Sequence, residues 1–164
     1  MEIVLDSCTI ILLAKSTVLE KLTENFTIII TKEVYEEIMK GKEKMFEDAL
    51  LVERLNDQHK IIRKNCKNEI RKKLEQDFNM GAGESSTIAL GIENQKYIIG
   101  TDNKQGRKAS RINNLNLVGS IEIVVSLFKK KSITKDKAYN SLKLLKDEGW
   151  FNDYLIEKAM EDLI

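Results

Sequence analysis

At 164 residues the chain is long enough for one domain with its own core and too short for two comfortable ones. Apolar residues at 42% and charged residues at 32% exclude a disordered chain, and the longest apolar run, the five residues Ile10 to Ala14, is far short of the roughly 20 that cross a bilayer. A net charge of +1 points neither toward nor away from nucleic acid, while two distant cysteines, Cys8 and Cys66, suit a reducing compartment better than a disulfide scaffold.

Met1-Glu2 leads straight into a strand-like stretch with no basic leader, so the expectation is a cytoplasmic protein with no membrane segment. Glu2 to Asp6 reads as a short buried strand and Thr9 to Lys15 as the helix leaving it. FTIIIT, residues 26–31, is a β-branched run of the kind covered on both faces of a sheet. Thr31 is a fitting N-cap for a helix through Lys40, with Glu33 in its first turn. Residues 42–56 and 58–76 read as two more helices. Strands at 97–101 and 115–118 alternate with helices at 84–95 and 104–113, and three helices follow near 120–131, 134–147 and 152–162. Strands separated by helices imply crossover connections and a mostly parallel sheet.

In such sheets ligands bind beyond the carboxyl ends of the strands. Asp6 ends the first strand and Asp102 follows the strand YIIGT, so both are expected at one sheet edge. Either acid alone could simply cap the helix that follows it, Asp102 with Gln105 in a box-like pattern. Two further acids fit the same edge. In KEVYEEIMK, counting about 100° per residue places Glu37 on the flank of the Val34-Ile38 face and Glu36 toward solvent. In GAGESSTIALGIE, Glu84 falls in the first turn of a helix, where the dipole favours its charge. Four converging carboxylates repel one another, and a hard divalent cation relieves the repulsion; an all-oxygen set suits Mg²⁺ or Mn²⁺. Ser7 and Thr101, each beside a proposed ligand, are positioned to support the carboxylates.

LDSCTIILLAK, VYEEI, GAGESSTIAL and GTDNKQGRKAS resemble, in order and spacing, the acidic motifs of PIN-domain ribonucleases. The tail through EGWFNDYLIEKAM is similar to that of a prokaryotic subfamily close to VapC-type toxins. The resemblance implies an α/β fold, a three-layer α/β/α sandwich, in which residues 1–131 form the nuclease domain. Residues 132–164 would be a helical extension packed on that domain or on a dimer partner. It also implies Mg²⁺- or Mn²⁺-dependent cleavage of RNA, with catalytic and metal-binding roles for Asp6, Glu37, Glu84 and Asp102. Toxins of this branch commonly form homodimers and are held inactive by a small antitoxin protein. One position departs from the pattern: many relatives carry a second Asp where this chain has Asn103, whose amide oxygen can still ligate but brings no charge.

Two basic groups are candidates for the RNA backbone, whose phosphates dominate affinity. Lys60, Arg63, Lys64, Lys67 and Arg71 recur at helical spacing and form a stripe if 58–76 is one helix; the bland reading is a solvated face. Arg107, Lys108 and Arg111 follow Asp102. Cys8 and Cys66 read as small core residues, and His59, the only histidine, as a surface residue at a helix start. The rival chemistry of a haloacid-dehalogenase-type phosphatase wants a second Asp where Cys8 stands. The remaining alternative is a PIN-like module that binds RNA or a protein without cutting, which Asn103 keeps open.

Overall fold

Ile3-Val4-Leu5 forms the central strand of a five-stranded sheet in the computed structural model, which describes residues 1–44 and 46–164. This strand, β1 (Glu2–Leu5), is apolar on both faces because both are covered. It is followed by α1 (Ser7–Lys15), α2 (Leu19–Asn25), β2 (Thr27–Thr31), α3 (Lys32–Lys42) and α4 (Glu47–Asp57). Next come β3 (Ile61–Lys64), α5 (Asn68–Phe78), α6 (Ala82–Glu93), β4 (Ile98–Gly100), α7 (Lys104–Ile112) and β5 (Asn116–Val118). The chain closes with α8 (Ser120–Lys129), α9 (Lys135–Glu148) and α10 (Asp153–Glu161).

All strand pairs are parallel and the order is β3-β2-β1-β4-β5, with Val4 in register with Ile29 on one side and Ile99 on the other. Alternation along the strands sorts the side chains into two cores. Ile3, Leu5, Ile28 and Ile30 pack with residues of α1 to α4 and α8 to α10. Val4, Ile29 and Ile99 pack with α5, α6 and α7 on the other face. The result is the expected three-layer α/β/α sandwich. Leu142 and Leu145 of α9 and Ile156 and Ala159 of α10 are buried in the same core as Leu13 of α1. No helix among the described residues is long and apolar enough to cross a membrane.

The chain steps outward from β1 through β2 to β3, then returns to lay β4 on the opposite side of β1. This reversal opens a crevice beyond the carboxyl ends of β1 and β4, the place where doubly wound sheets bind ligands.

Three expectations change. Residues 58–76 are not one helix: Ile61-Ile62 pairs with Ile28-Ile29 as an edge strand, and α5 starts only at Asn68. His59 sits in the turn between α4 and β3 with φ 57, not at a helix start. The basic stripe therefore breaks up. Arg63 lies over the Tyr35 ring at 4.3 Å, Lys64 on the opposite strand face donates to the Tyr97 hydroxyl at 2.7 Å, and Arg71 pairs with Glu75 at 2.6 Å. Second, α2 was not anticipated; it is held by buried Leu19 and Leu22. Third, the helix expected over 42–56 begins at Glu47, and Met45 within that expectation lies outside the described residues.

Candidate functional site

Asp6 is 1% exposed and its two oxygens do different things. Oδ1 accepts the Thr9 backbone N–H at 2.8 Å, which makes Asp6 the N-cap of α1. Oδ2 is buried with no hydrogen-bond partner. The capping and functional readings of this residue are thus both occupied, one by each oxygen. Burial pushes the Asp6 carboxyl above its ordinary value and Asp102 adds to the rise, while Thr101 and Thr9 pull part of it back. Oδ2 has no well-formed hydrogen bond, so the lowering that the geometry supports is the Thr9 N–H bond to Oδ1.

Asp102 comes from the end of β4, as the parallel register requires. It does not cap α7. Asn103 does, its Oδ1 accepting from Gln105 N at 2.8 Å and Gly106 N at 3.0 Å. Asp102 Oδ1 instead accepts the Ser120 N–H at 3.0 Å, at the start of α8, and Oδ2 accepts from the Thr9 hydroxyl at 3.0 Å. Burial again raises this carboxyl, the Ser120 and Thr9 bonds lower it, and Glu122 raises it further.

Glu37 points inward from α3, whereas Glu36 is exposed and pairs with Lys32 at 3.7 Å. Its Oε1 accepts the Gly83 N–H at 2.8 Å in the first turn of α6, and its Oε2 accepts from the Ser7 hydroxyl. Only glycine permits this approach, for a Cβ at position 83 would overlap the Glu37 carboxylate. Glu84, the next residue, is half-buried; burial raises its carboxyl, and Asp6 and Glu37 raise it further. Glu37, Glu84, Asp6 and Asp102 thus form a chain of neighbouring acids along the switch-point crevice. Among the described residues, no three acids, histidines or cysteines close on a single point.

The donors fit a hard divalent cation: every one is an oxygen, Asp6 Oδ2 is buried without a partner, and three of the four carboxyls are held above their ordinary values. Of the flanking cations, Arg107 is committed inside the chain, donating to the Thr101 carbonyl oxygen at 3.1 Å and pairing with Glu122 at 3.8 Å. Lys108 and Arg111 are exposed on α7. Lys60, Arg63, Lys64 and Lys67 lie on or beside β3, at the sheet edge two strands from β1.

Three residues were missed. Thr9 bridges the two aspartates, donating its N–H to the Asp6 cap and its hydroxyl to Asp102, while that hydroxyl also accepts the Asp102 N–H at 2.9 Å. Its position three residues after Asp6 was the available signal, since that is the site an N-cap oxygen reaches. Glu122 stands in the first turn of α8, the placement that singled out Glu84. Cys8 is not a core residue; it is exposed at the crevice mouth. Partial enclosure, then Asp6, Asp102 and Glu84, push its thiol up to about 11, so it is a poor nucleophile at neutral pH.

No protein among the curated ones matches the chain. A family model described as a PIN domain matches residues 2–163, nearly the whole length. PIN domains are commonly nucleases and generally use divalent metal ions. With that match spanning both the acidic crevice and the helical tail, the chain belongs to the PIN-domain family.

Proposed function

We propose that the chain is an endoribonuclease that hydrolyses RNA phosphodiesters with Mg²⁺ or Mn²⁺. The observation that carries this reading is Asp6 Oδ2, a buried carboxylate oxygen with no partner, flanked by Asp102 and Glu84 at the β1–β4 switch point. Asp6, Glu37, Glu84 and Asp102 would hold the cation. Asn103, its amide oxygen already accepting two N–H groups, stands beside them at the start of α7. Held by these residues, a divalent ion would supply Lewis-acid polarisation of a phosphate oxygen and would lower the pKa of an attacking water.

The chain's own residues supply alignment. Thr9 fixes Asp6 and Asp102 relative to each other, and Ser7 with the Gly83 N–H holds Glu37 against α6. Arg107, between the Thr101 carbonyl and Glu122, places positive charge beside Asp102, and Lys108 and Arg111 extend it toward a phosphate backbone. The tail, similar to that of a prokaryotic subfamily close to VapC-type toxins, supports a narrower role. In it the protein is a cytoplasmic homodimeric toxin restrained by a small antitoxin.

The test is cleavage of a mixed-sequence structured RNA with Mn²⁺ or Mg²⁺. Activity that disappears with EDTA and in Asp6→Asn supports the nuclease. A second reading, a PIN-like module that binds RNA or protein without cutting, is favoured by the neutral Asn103 and by acids that do not close on one point. It predicts RNA binding, equal in wild type and Asp6→Asn, with no product under either metal.

A further inference from the structure

A cleft of about 1000 Å³ leads out of the acidic crevice, starting at Asp102 and running between α7, α8 and α10 to the turn that joins α9 to α10. It is larger than a metal ion and an attacking water require, and its floor is apolar, with Ile121 and Val125. Five cations line it against three acids, and one of those acids, Glu122, is already paired with Arg107. Arg111, Lys129 and Lys158 have no ion-pair partner among the described residues.

At the far rim stands Trp150, the chain's only tryptophan, with 105% of its reference area exposed. A large flat apolar side chain wholly in water forgoes the burial that ordinarily stabilises it. The cleft therefore combines a polyanion's requirement, unpaired cations along a wall, with a planar group's requirement, a free aromatic face. Single-stranded nucleic acid carries both features, since its bases are unstacked and available while its phosphates repeat along the strand. A duplex hides its base faces, and an acidic peptide would satisfy the lysines without covering the indole.

We propose that this cleft is a subsite for unpaired RNA, in which a base stacks on Trp150 and the phosphates of the same strand follow Lys158, Lys129 and Arg111 toward Asp102. The strand's destination rests on the nuclease reading; the binding itself does not. Stacking on an aromatic is tolerant of base identity, so this subsite selects strandedness rather than sequence.

Because Trp150 is the sole tryptophan, its emission reports the subsite alone. A short oligoadenylate titrated in EDTA, where no cutting intervenes, quenches it saturably, and the same length of duplex does not. Trp150→Ala, at a fully exposed position, leaves folding intact and weakens binding of a labelled strand roughly 5- to 150-fold, and Trp150→Phe restores most of it. Lys158→Ala lowers the salt slope of binding by about one. No binding, binding without quenching, or unchanged affinity in Trp150→Ala overturns the subsite even where metal-dependent cleavage is intact, and assigns the face to a protein instead. Quenching with no cleavage under Mn²⁺ upholds the subsite and overturns the nuclease reading.

Discussion

Thr9→Val removes one buried hydroxyl and keeps the side chain's shape. Thr9 is fully buried, its Oγ1 donates to Asp102 Oδ2 at 3.0 Å and accepts from Asp102 N at 2.9 Å, and its own N–H is still capped by Asp6 in the variant. Losing a hydrogen bond to a charged group costs about 1.5–3 kcal/mol, and the stranded Asp102 N–H about 1–3 kcal/mol. The two losses share one atom, and the added methyl returns about 0.8 kcal/mol, so the net is about 2–4 kcal/mol. For a chain of this length that lowers Tm by on the order of 5–15 °C. Urea unfolding in EDTA measures it, and calorimetric titration of Mn²⁺ into the folded variant should show affinity about 10–100-fold weaker, because Asp102 has lost the group that aims it. Thr9→Ser, which keeps the hydroxyl, should retain the affinity. A valine variant within about 0.5 kcal/mol of wild type that binds Mn²⁺ equally well would refute the bridging role.

Asp6, Glu84 and Asp102 all have carboxyls raised in the fold, so their contribution is fully present below the ordinary carboxylate value, 3.8 for an Asp, and is lost as pH rises through the raised values. In metal-free buffer Asp6→Asn, which keeps an Oδ1 for the Thr9 N–H, should therefore gain on wild type as pH rises, at up to about 1.4 kcal/mol per pH unit; a stability difference flat with pH contradicts this. Gly83→Ala puts a methyl where the Glu37 carboxylate sits, displacing the end of a flexible side chain. Folding should change by less than about 2 kcal/mol, as better helix propensity offsets a lost charged hydrogen bond, while metal-dependent cleavage falls at least tenfold; wild-type turnover would remove Glu37 from the site. Arg107→Ala with Lys108→Ala should weaken RNA binding and flatten its salt slope, measured by filter binding across salt, and an unaltered slope excludes phosphate contacts by this pair.

The sheet edge was legible because parallel connection carries a strong geometric consequence. Once β1 and β4 are strands, Asp6 and Asp102 must leave at the same side, whatever lies between them. The choice of Glu37 over Glu36 needed only the angular step of a helix and the position of Ile38. The stretch 58–76 misled because Ile62, Cys66, Ile70, Leu74 and Phe78 keep a spacing of four across a boundary that no Pro or Gly marks. There Ile61-Ile62 is recruited to an edge strand by Ile28-Ile29, a tertiary partner that local periodicity does not register. Thr9 was invisible for a related reason. A threonine in the first turn reads the same whether its hydroxyl meets solvent or an aspartate 93 residues away. Cys8 was assigned to the core because free cysteine behaves as a small apolar side chain, but it belongs to the helix turn that faces the crevice.

Calorimetric titration of Mn²⁺ into wild type and Asp6→Asn decides whether Asp6 is the chief ligand of a carboxylate site for a divalent cation. Wild type should give a saturable heat and the variant should bind at least about 100-fold more weakly, since a direct ligand should matter no less than the groups that orient one. Equal affinity in the two proteins, or no binding of Mn²⁺ or Mg²⁺ by wild type, would contradict that role.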